Sequence, residues 1–258
     1  MAAPVVDVTN FITASSASKQ VFKTATLLKN LTINALICGE IGVGKKSLAQ
    51  YILPDAPVMD ASDLNELLVT LESSKEIIIT NLENSPNLKT LIDSLQTKNI
   101  RVIATAKSSF INDYIDEFFT LNFNIPPLDE RKEDIEPLID KFLEEASFLF
   151  GKEKTFNFKK LNLNLSENAV SLRRQVMITY LLQNIKDREL MDIMQNYLHD
   201  KLGSNSDYRD FLYLYEAPLI NAGLDRFKSQ LQLSDKLGLN RNTLRKKIAD
   251  NKQYIKGK

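Results

Sequence analysis

The 258-residue sequence contains a single cysteine, Cys38, and a single histidine, His199. One cysteine excludes an internal disulfide and suits a reducing, cytoplasmic setting. The same scarcity rules out a zinc site built from cysteine and histidine, and it argues against Ser-His-Asp or Cys-His catalysis. Long apolar runs are also missing. Runs such as Ala35–Cys38 and Ile77–Ile79 are short, far below the about 20 residues that span a bilayer. The opening Met1-Ala-Ala-Pro-Val-Val-Asp lacks the basic and apolar regions of a signal peptide, so a cytoplasmic protein with no membrane partner is expected. What remains for chemistry is carboxylates, lysines, arginines, hydroxyls and the backbone.

Net charge is absent as well, with 33 basic and 33 acidic residues, but the charges are unevenly placed. From Asp225 onward stand Arg226, Lys228, Lys236, Arg241, Arg245, Lys246, Lys247, Lys252, Lys256 and Lys258, against Asp225, Asp235 and Asp250. A basic end on an acidic body suggests a polyanion-binding appendage, although a solvated helix would look the same.

Apolar β-branched runs at Leu36–Cys38, Ile77–Ile79, Val102–Ala104 and Leu121–Ile125 read as strands buried on both faces. Helical periods lie between them, which implies a parallel α/β layer. From Arg131 to about Lys201 the periods are helical throughout, with Ile135, Leu138, Ile139, Phe142 and Leu143 on one apolar face and Leu172, Val176, Tyr180 and Leu181 on another. Gly203-Ser-Asn-Ser-Asp207 reads as a linker.

The first strand runs into Gly39-Glu40-Ile-Gly42-Val43-Gly44-Lys45-Lys46-Ser47. Strand, glycine loop, lysine and helix in that order make a phosphate cradle, with inward N–H groups and a helix N-terminus. Lys46 stands where a Mg²⁺-binding Ser or Thr is usual, and Ser47 comes one place late. A strand-to-helix turn of purely structural purpose is the plainer alternative. Hydrolysis would need acids at the end of a neighbouring strand. Glu76–Glu83 offers Thr80-Asn81 there, and Glu83 reads as a surface residue of the next loop, so nucleotide binding without appreciable turnover is expected.

Taken together, these residues resemble the NtrC-type AAA+ domain of bacterial enhancer-binding proteins, the activators of an alternative sigma factor. Phe11-Ile12 and Lys19-Gln20-Val21 are similar to the family's lead-in segment, and Gly39–Ala49 to its GESGTGKE loop. Arg101–Thr105 resembles the sensor strand. The most specific likeness is Ile125-Pro-Pro-Leu128-Asp-Glu-Arg131-Lys-Glu-Asp134-Ile135, similar to the LPPLRERREDI junction into the helical lid. The resemblance implies ATP or ADP with Mg²⁺ as ligand and a homologous AAA+ protein or the sigma factor as a possible partner.

Departures from the family fall at its working parts. Thr80 and Asn81 replace the Walker B acids, and Lys107 replaces the sensor asparagine. Phe110–Glu117 has no arginine finger. In Glu167-Asn-Ala-Val170-Ser-Leu172, Val170 takes the nucleotide-sensing arginine's place. Arg173 or Arg174 could substitute, or could be solvated lid residues. Only about 35 residues separate Lys45 from Asn81, too few for the sigma-engaging GAFTGA loop. The resemblance therefore implies a degenerate ATPase.

The C-terminal stretch has helix–turn–helix grammar. Leu233 and Leu237 share a face, Gly238 ends the helix, and Asn240 caps the next. Leu244 and Ile248 turn inward, leaving Arg241, Asn242, Arg245 and Lys246 outside. Leu239–Ile248 resembles the recognition helix of the Fis-type domain, and Tyr215-Glu-Ala-Pro218 its proline-interrupted dimerising helix. The resemblance implies double-stranded DNA as ligand, with Gln230, Asn240, Arg241, Asn242, Thr243, Arg245, Lys246 and Lys247 as the DNA-binding set. Within it, Arg241, Asn242 and Arg245 read bases and Lys246 and Lys247 hold phosphates. It also implies a homodimer through the helices at 208–227, by way of Phe211, Leu212, Leu214, Tyr215, Leu219 and Ile220.

The expected architecture is thus an α/β P-loop AAA+ subdomain (1–129), a helical lid (130–202), a linker (203–207) and an all-α Fis-like helix–turn–helix (208–258). The expected function is a DNA-binding transcriptional regulator whose nucleotide site is Gly39, Glu40, Gly42, Val43, Gly44, Lys45, Lys46 and Ser47. The rival expectations are a weak ATPase and an adaptor for another AAA+ activator or the sigma factor.

Overall fold

The computed structural model describes residues 11–151, 163–183 and 185–255. The chain divides into two compact units, 1–184 and 185–258.

The first unit opens with α1 (Ser16–Lys29), capped by Ser15. It continues β1 (Ala35–Gly39), α2 (Lys45–Ile52), β2 (Val58–Asp60), α3 (Leu64–Thr70), β3 (Glu76–Thr80), α4 (Leu88–Thr97), β4 (Arg101–Ala106), α5 (Asp113–Phe118) and β5 (Leu121–Ile125). The strands form one sheet in the order β2-β3-β4-β1-β5, and every pairing is parallel. Parallel strands need crossover helices, which cover both faces. On one face Leu36, Ile77, Ile79, Val102 and Ala104 pack with residues of α3, α4 and α5. On the other Ile37, Ile78 and Ile103 pack with α1 and α2.

One strand reading needs correction, and one strand is additional. Leu121–Ile125 forms a strand but is not buried on both faces. It is the sheet edge, and Asn122 and Asn124 are exposed in alternation with half-buried neighbours. β2 was not foreseen, because its three half-buried residues carry no apolar run.

The lid comprises α6 (Ile135–Phe150) and α7 (Ala169–Leu182). Leu138, Ile139, Phe142, Leu172 and Val176 pack around Leu128 to form its core.

The second unit contains α8 (Asp187–His199), α9 (Asp207–Phe211), α10 (Tyr213–Phe227), α11 (Gln230–Lys236) and α12 (Arg241–Asp250). Helix α8, read with the lid from its apolar period, falls in this second compact unit, which begins at 185. Gly203–Asp207 accordingly lies within the second unit. It is folded by Asp207, whose carboxylate accepts the Gly203 N–H at 2.8 Å, the Ser204 N–H at 3.1 Å and the Ser204 hydroxyl at 2.5 Å. The core is Ile220, Leu233 and Leu244, flanked by Leu224, Phe227, Leu237 and Ile248. Gly223 lets α10 and α11 approach, since a Cβ there would lie 2.2 Å from a Leu233 methyl. Among the described residues no helix is long and apolar enough to cross a membrane.

Candidate functional site: a phosphate loop clamped by the lid

The loop after β1 lines a cavity of about 810 Å³ with Glu40, Ile41, Gly42, Val43, Gly44, Lys45, Lys46 and Ser47, a size that suits a small-molecule ligand. Gly39 closes the strand beneath it. Two glycines are dictated by their surroundings. Gly42 has φ +78°, and a Cβ on it would sit 2.1 Å from the Glu167 carbonyl. Gly44 has φ +105° and lies against the Phe11 ring, 2.9 Å from a hypothetical Cβ.

Lys45, the first residue of α2, folds back to donate to the carbonyls of Gly39 at 2.6 Å and Glu40 at 2.7 Å. Burial lowers its pKa, and the nearby Glu83 opposes that. Lys46 is exposed and Ser47 half-buried, both on the cavity wall.

The lid grips the loop from above. Asn168, 2% exposed and at φ 52°, donates its amide to the Glu40 carboxylate and to the Ile41 carbonyl, each at 2.9 Å. Its side-chain oxygen accepts the Leu128 N–H at 2.6 Å. The Ala169 N–H adds a bond to the Gly42 carbonyl at 3.2 Å. A second grip comes from the buried Arg131, which donates to the Val43 carbonyl at 3.1 Å and to Asp134 at 3.3 Å, with its guanidinium over the Phe11 ring. Burial lowers the Arg131 pKa and Asp134 counters it. Asp134, fully buried, also accepts the N–H groups of Ala14 at 2.8 Å and Ser15 at 2.7 Å and the Ser18 hydroxyl at 3.0 Å. A buried carboxylate is tolerable because its oxygens are this fully hydrogen-bonded. The junction motif and Asn168 were visible as sequence, but these roles were not foreseen.

At the cavity end nearest β3, Thr80 and Asn81 stand where hydrolysis would need acids, and an acid arrives from β2. The Asp60 carboxylate accepts the Asn81 amide at 2.6 Å, the Thr80 hydroxyl at 3.4 Å, and the N–H and hydroxyl of Ser62 at 3.0 and 2.6 Å. Burial raises its pKa, but these hydrogen bonds outweigh that and hold it below the usual carboxylate value. Asp60 was missed in the sequence because nothing marks three residues as an edge strand.

Glu83 also needs correction. Its side chain is only 12% exposed and faces the Lys107 ammonium at 3.8 Å. It accepts the Lys107 N–H at 3.3 Å. It is therefore a half-buried acid whose field acts on Lys45 rather than a surface residue. Among the described residues no group of three or more potential metal ligands occurs.

The lid lines the cavity with the apolar Leu138, Phe142, Ala169 and Val170 and with the charged Lys141, Glu145 and Arg173. Arg173 lines it one turn beyond Val170 and is paired with Glu145. That hydrogen bond lowers the Glu145 pKa and raises the Arg173 pKa. Arg174 is exposed and does not line the cavity.

In the second unit, α11 and α12 are joined by a tight turn in which Gly238 has φ +63°. Ser229 caps α11, and the Asn240 side chain caps α12 by accepting the Thr243 N–H at 2.8 Å. Leu244 is buried, while Arg241, Asn242, Arg245 and Lys246 are exposed. Gln230 is exposed at the start of α11, and Thr243 is half-buried. Lys247 does not join the exposed set. Its ammonium is bonded to Glu216, which also accepts the Asn251 amide at 3.2 Å. Of the surface suggested for dimerisation, Ile220 is buried in the unit's own core, whereas Tyr215 and Leu219 are exposed.

No protein-family model matches the sequence, and no curated protein matches it. Among solved structures, NtrX from Brucella abortus in complex with ATP superposes with a TM-score of 0.59 at 15% identity, over 94% of this chain and 69% of that one. The complex of the same protein with ADP gives 0.57 at 16% identity, over 94% and 70%. At such identities the likeness is one of fold alone, a parallel five-stranded sheet with helices on both faces and helices beyond it.

Proposed function

We propose that this chain is a DNA-binding transcriptional regulator whose AAA+ body binds ATP or ADP without turning it over. The observation that carries the reading is the outer face of α12, where Arg241, Asn242, Arg245 and Lys246 are exposed on a helix anchored by Leu244. A capped helix after a tight turn, presenting two arginines and an asparagine, suits the major groove. Arginine matches guanine and asparagine matches adenine, while Lys246 is placed for phosphate. Lys247 belongs instead to the packing of α10 against α12. This is the helix–turn–helix of the Fis type in our reading.

Nucleotide binding is supported by the loop geometry, by Lys45 and by the apolar residues of the lid, which suit a base. The ATP and ADP complexes of NtrX agree with it. Loss of turnover follows from Thr80 and Asn81: neither can serve as general base, and Glu83 is engaged by Lys107. The chain acts as a homodimer in this account. Tyr215 and Leu219 on α10 and an apolar stripe on α8, with Leu190, Ile193 and Tyr197 exposed, supply the surface.

The test is a fluorescence-anisotropy titration of the full chain against a duplex selected from a random library. Arg245→Ala should weaken specific binding by about 1–3 kcal/mol. Unchanged affinity for the selected site would remove Arg245 from the reading surface.

A further inference from the structure

An AAA+ body brings with it the expectation of Mg²⁺ beside the bound phosphates, and the donor set here does not fit that ion. Magnesium demands near-octahedral oxygen ligands and is held through one or two carboxylates plus the phosphates. The residue after the loop lysine, where a hydroxyl would reach the ion, is Lys46, which lines the cavity. The end of β3 offers the neutral Thr80 and Asn81, and the Asn81 amide is already given to Asp60 at 2.6 Å. Asp60 has both oxygens taken by Ser62, Thr80 and Asn81. Glu83 is paired with Lys107. Asp60 is therefore filled by protein donors and Glu83 is turned to Lys107, while of the other carboxylates lining the cavity Glu40 accepts the Asn168 amide and Glu145 is paired with Arg173.

The cations point the other way. Lys45 stands at the head of α2 on loop carbonyls that a phosphate can replace as its partner. Lys46 follows it on the same cavity wall and has no hydrogen bond or ion pair among the described residues. An ammonium on a flexible stem is a mobile point charge with three donors. Two such groups at a helix N-terminus can neutralise phosphate oxygens that a metal would otherwise bridge. A nucleoside triphosphate without metal keeps the negative charge that Mg²⁺ would mask, so its attraction to this pair is stronger.

We infer that the cavity takes a nucleoside triphosphate free of divalent cation, with Lys46 occupying the place and the electrostatic role of the metal. This deepens the nucleotide reading above and rests on it. A divalent ion becomes a competitor of Lys46 for the same oxygens, so excess Mg²⁺ leaves the affinity unchanged or lowers it.

The test is equilibrium binding of a fluorescent ATP analogue to the full chain, in excess EDTA and in excess Mg²⁺. The wild type, Lys46→Ala and Lys45→Ala are compared, with circular dichroism confirming that each variant is folded. The expected result is a Kd in EDTA equal to or below that in Mg²⁺, and a loss of about tenfold for Lys46→Ala in EDTA. Should Lys46→Ala lose its fold, Lys46→Arg, which keeps the charge, is the second variant and should keep binding in EDTA. Binding that collapses in EDTA, or that ignores Lys46→Ala, overturns the inference and leaves nucleotide binding standing. Absence of wild-type binding in both buffers, with Lys45→Ala no different, overturns the nucleotide reading itself.

Discussion

Asn168 joins the lid to the phosphate loop by side-chain bonds that no neighbouring residue could replace, which makes it the sharpest point at which to perturb the first unit. Asn168→Ala strands the Leu128 N–H and the Ile41 carbonyl and frees the Glu40 carboxylate to solvent. Leaving a buried polar group without a partner costs about 1–3 kcal/mol. The Leu128 N–H is such a group, whereas the Ile41 carbonyl belongs to an exposed residue, so the loss is about 1–3 kcal/mol, to which alanine at φ 52° adds backbone strain that asparagine tolerates better. Asn168→Gly removes the same hydrogen bonds but accepts that backbone, so it should lose less than alanine. Asn168→Asp keeps the acceptor for Leu128 while turning a negative charge toward Glu40 and the Ile41 carbonyl, and it should lose at least as much as alanine. Urea unfolding followed by far-UV circular dichroism reads all three on the transition of the first unit. A loss below about 1 kcal/mol for Asn168→Ala would refute the clamp, as would a glycine variant less stable than the alanine one.

Other outcomes follow from the same geometry. Gly42→Ala, whose methyl would meet the Glu167 carbonyl, should abolish nucleotide binding while the second unit melts unchanged; retained binding in the fluorescent titration would contradict the close approach. Leu244→Ala should destabilise the second unit by about 2–5 kcal/mol, because a buried side chain is truncated in a small core; a thermal melt that does not shift would count against it. Lys247→Ala, which leaves Glu216 with the Asn251 amide alone, should lower the melting temperature of that unit while the anisotropy titration of the folded variant keeps its DNA affinity; an unshifted melt would contradict this. Asp60 has a folded pKa below its ordinary value of 3.8. Its contribution is therefore fully present above that value and fades as pH falls through the folded pKa, so Asp60→Asn should flatten acid unfolding in that range. An Asp60 carboxyl resonance that titrates at or above the ordinary value would contradict this.

Much of the fold could be read from the sequence where burial is complete on both sides. Ile77–Ile79 and Val102–Ala104 are continuous apolar runs because helices cover both faces of their sheet, and the glycine loop stands out because only glycine fits beneath Glu167 and Phe11. Edge elements were harder. β2 has no run to display, and in β5 the exposed Asn122 and Asn124 interrupt the apolar pattern. Helix α8 carries a clear apolar stripe, but none of its residues is buried, and an amphipathic period marks a face able to pack rather than one that does. Arg131, Asp134 and Asn168 lie in recognisable motifs, yet their partners are Val43, Ser15 and Ile41, far along the chain. Such contacts are set by tertiary closure and leave no local spacing to detect. The same holds for Glu83, which reads as a loop acid until the turn after β3 brings it to Lys107.

The most direct test of the account is a DNA-binding titration of the full chain at several salt concentrations. A variant in which Arg241, Arg245 and Lys246 are all alanine serves as the control, and both are measured with and without ATP. The account predicts steep salt dependence for the wild type and a shallower, weaker titration for the variant, since removing phosphate and base contacts removes counterion release. No binding by the wild type, or equal binding by the variant, would contradict it.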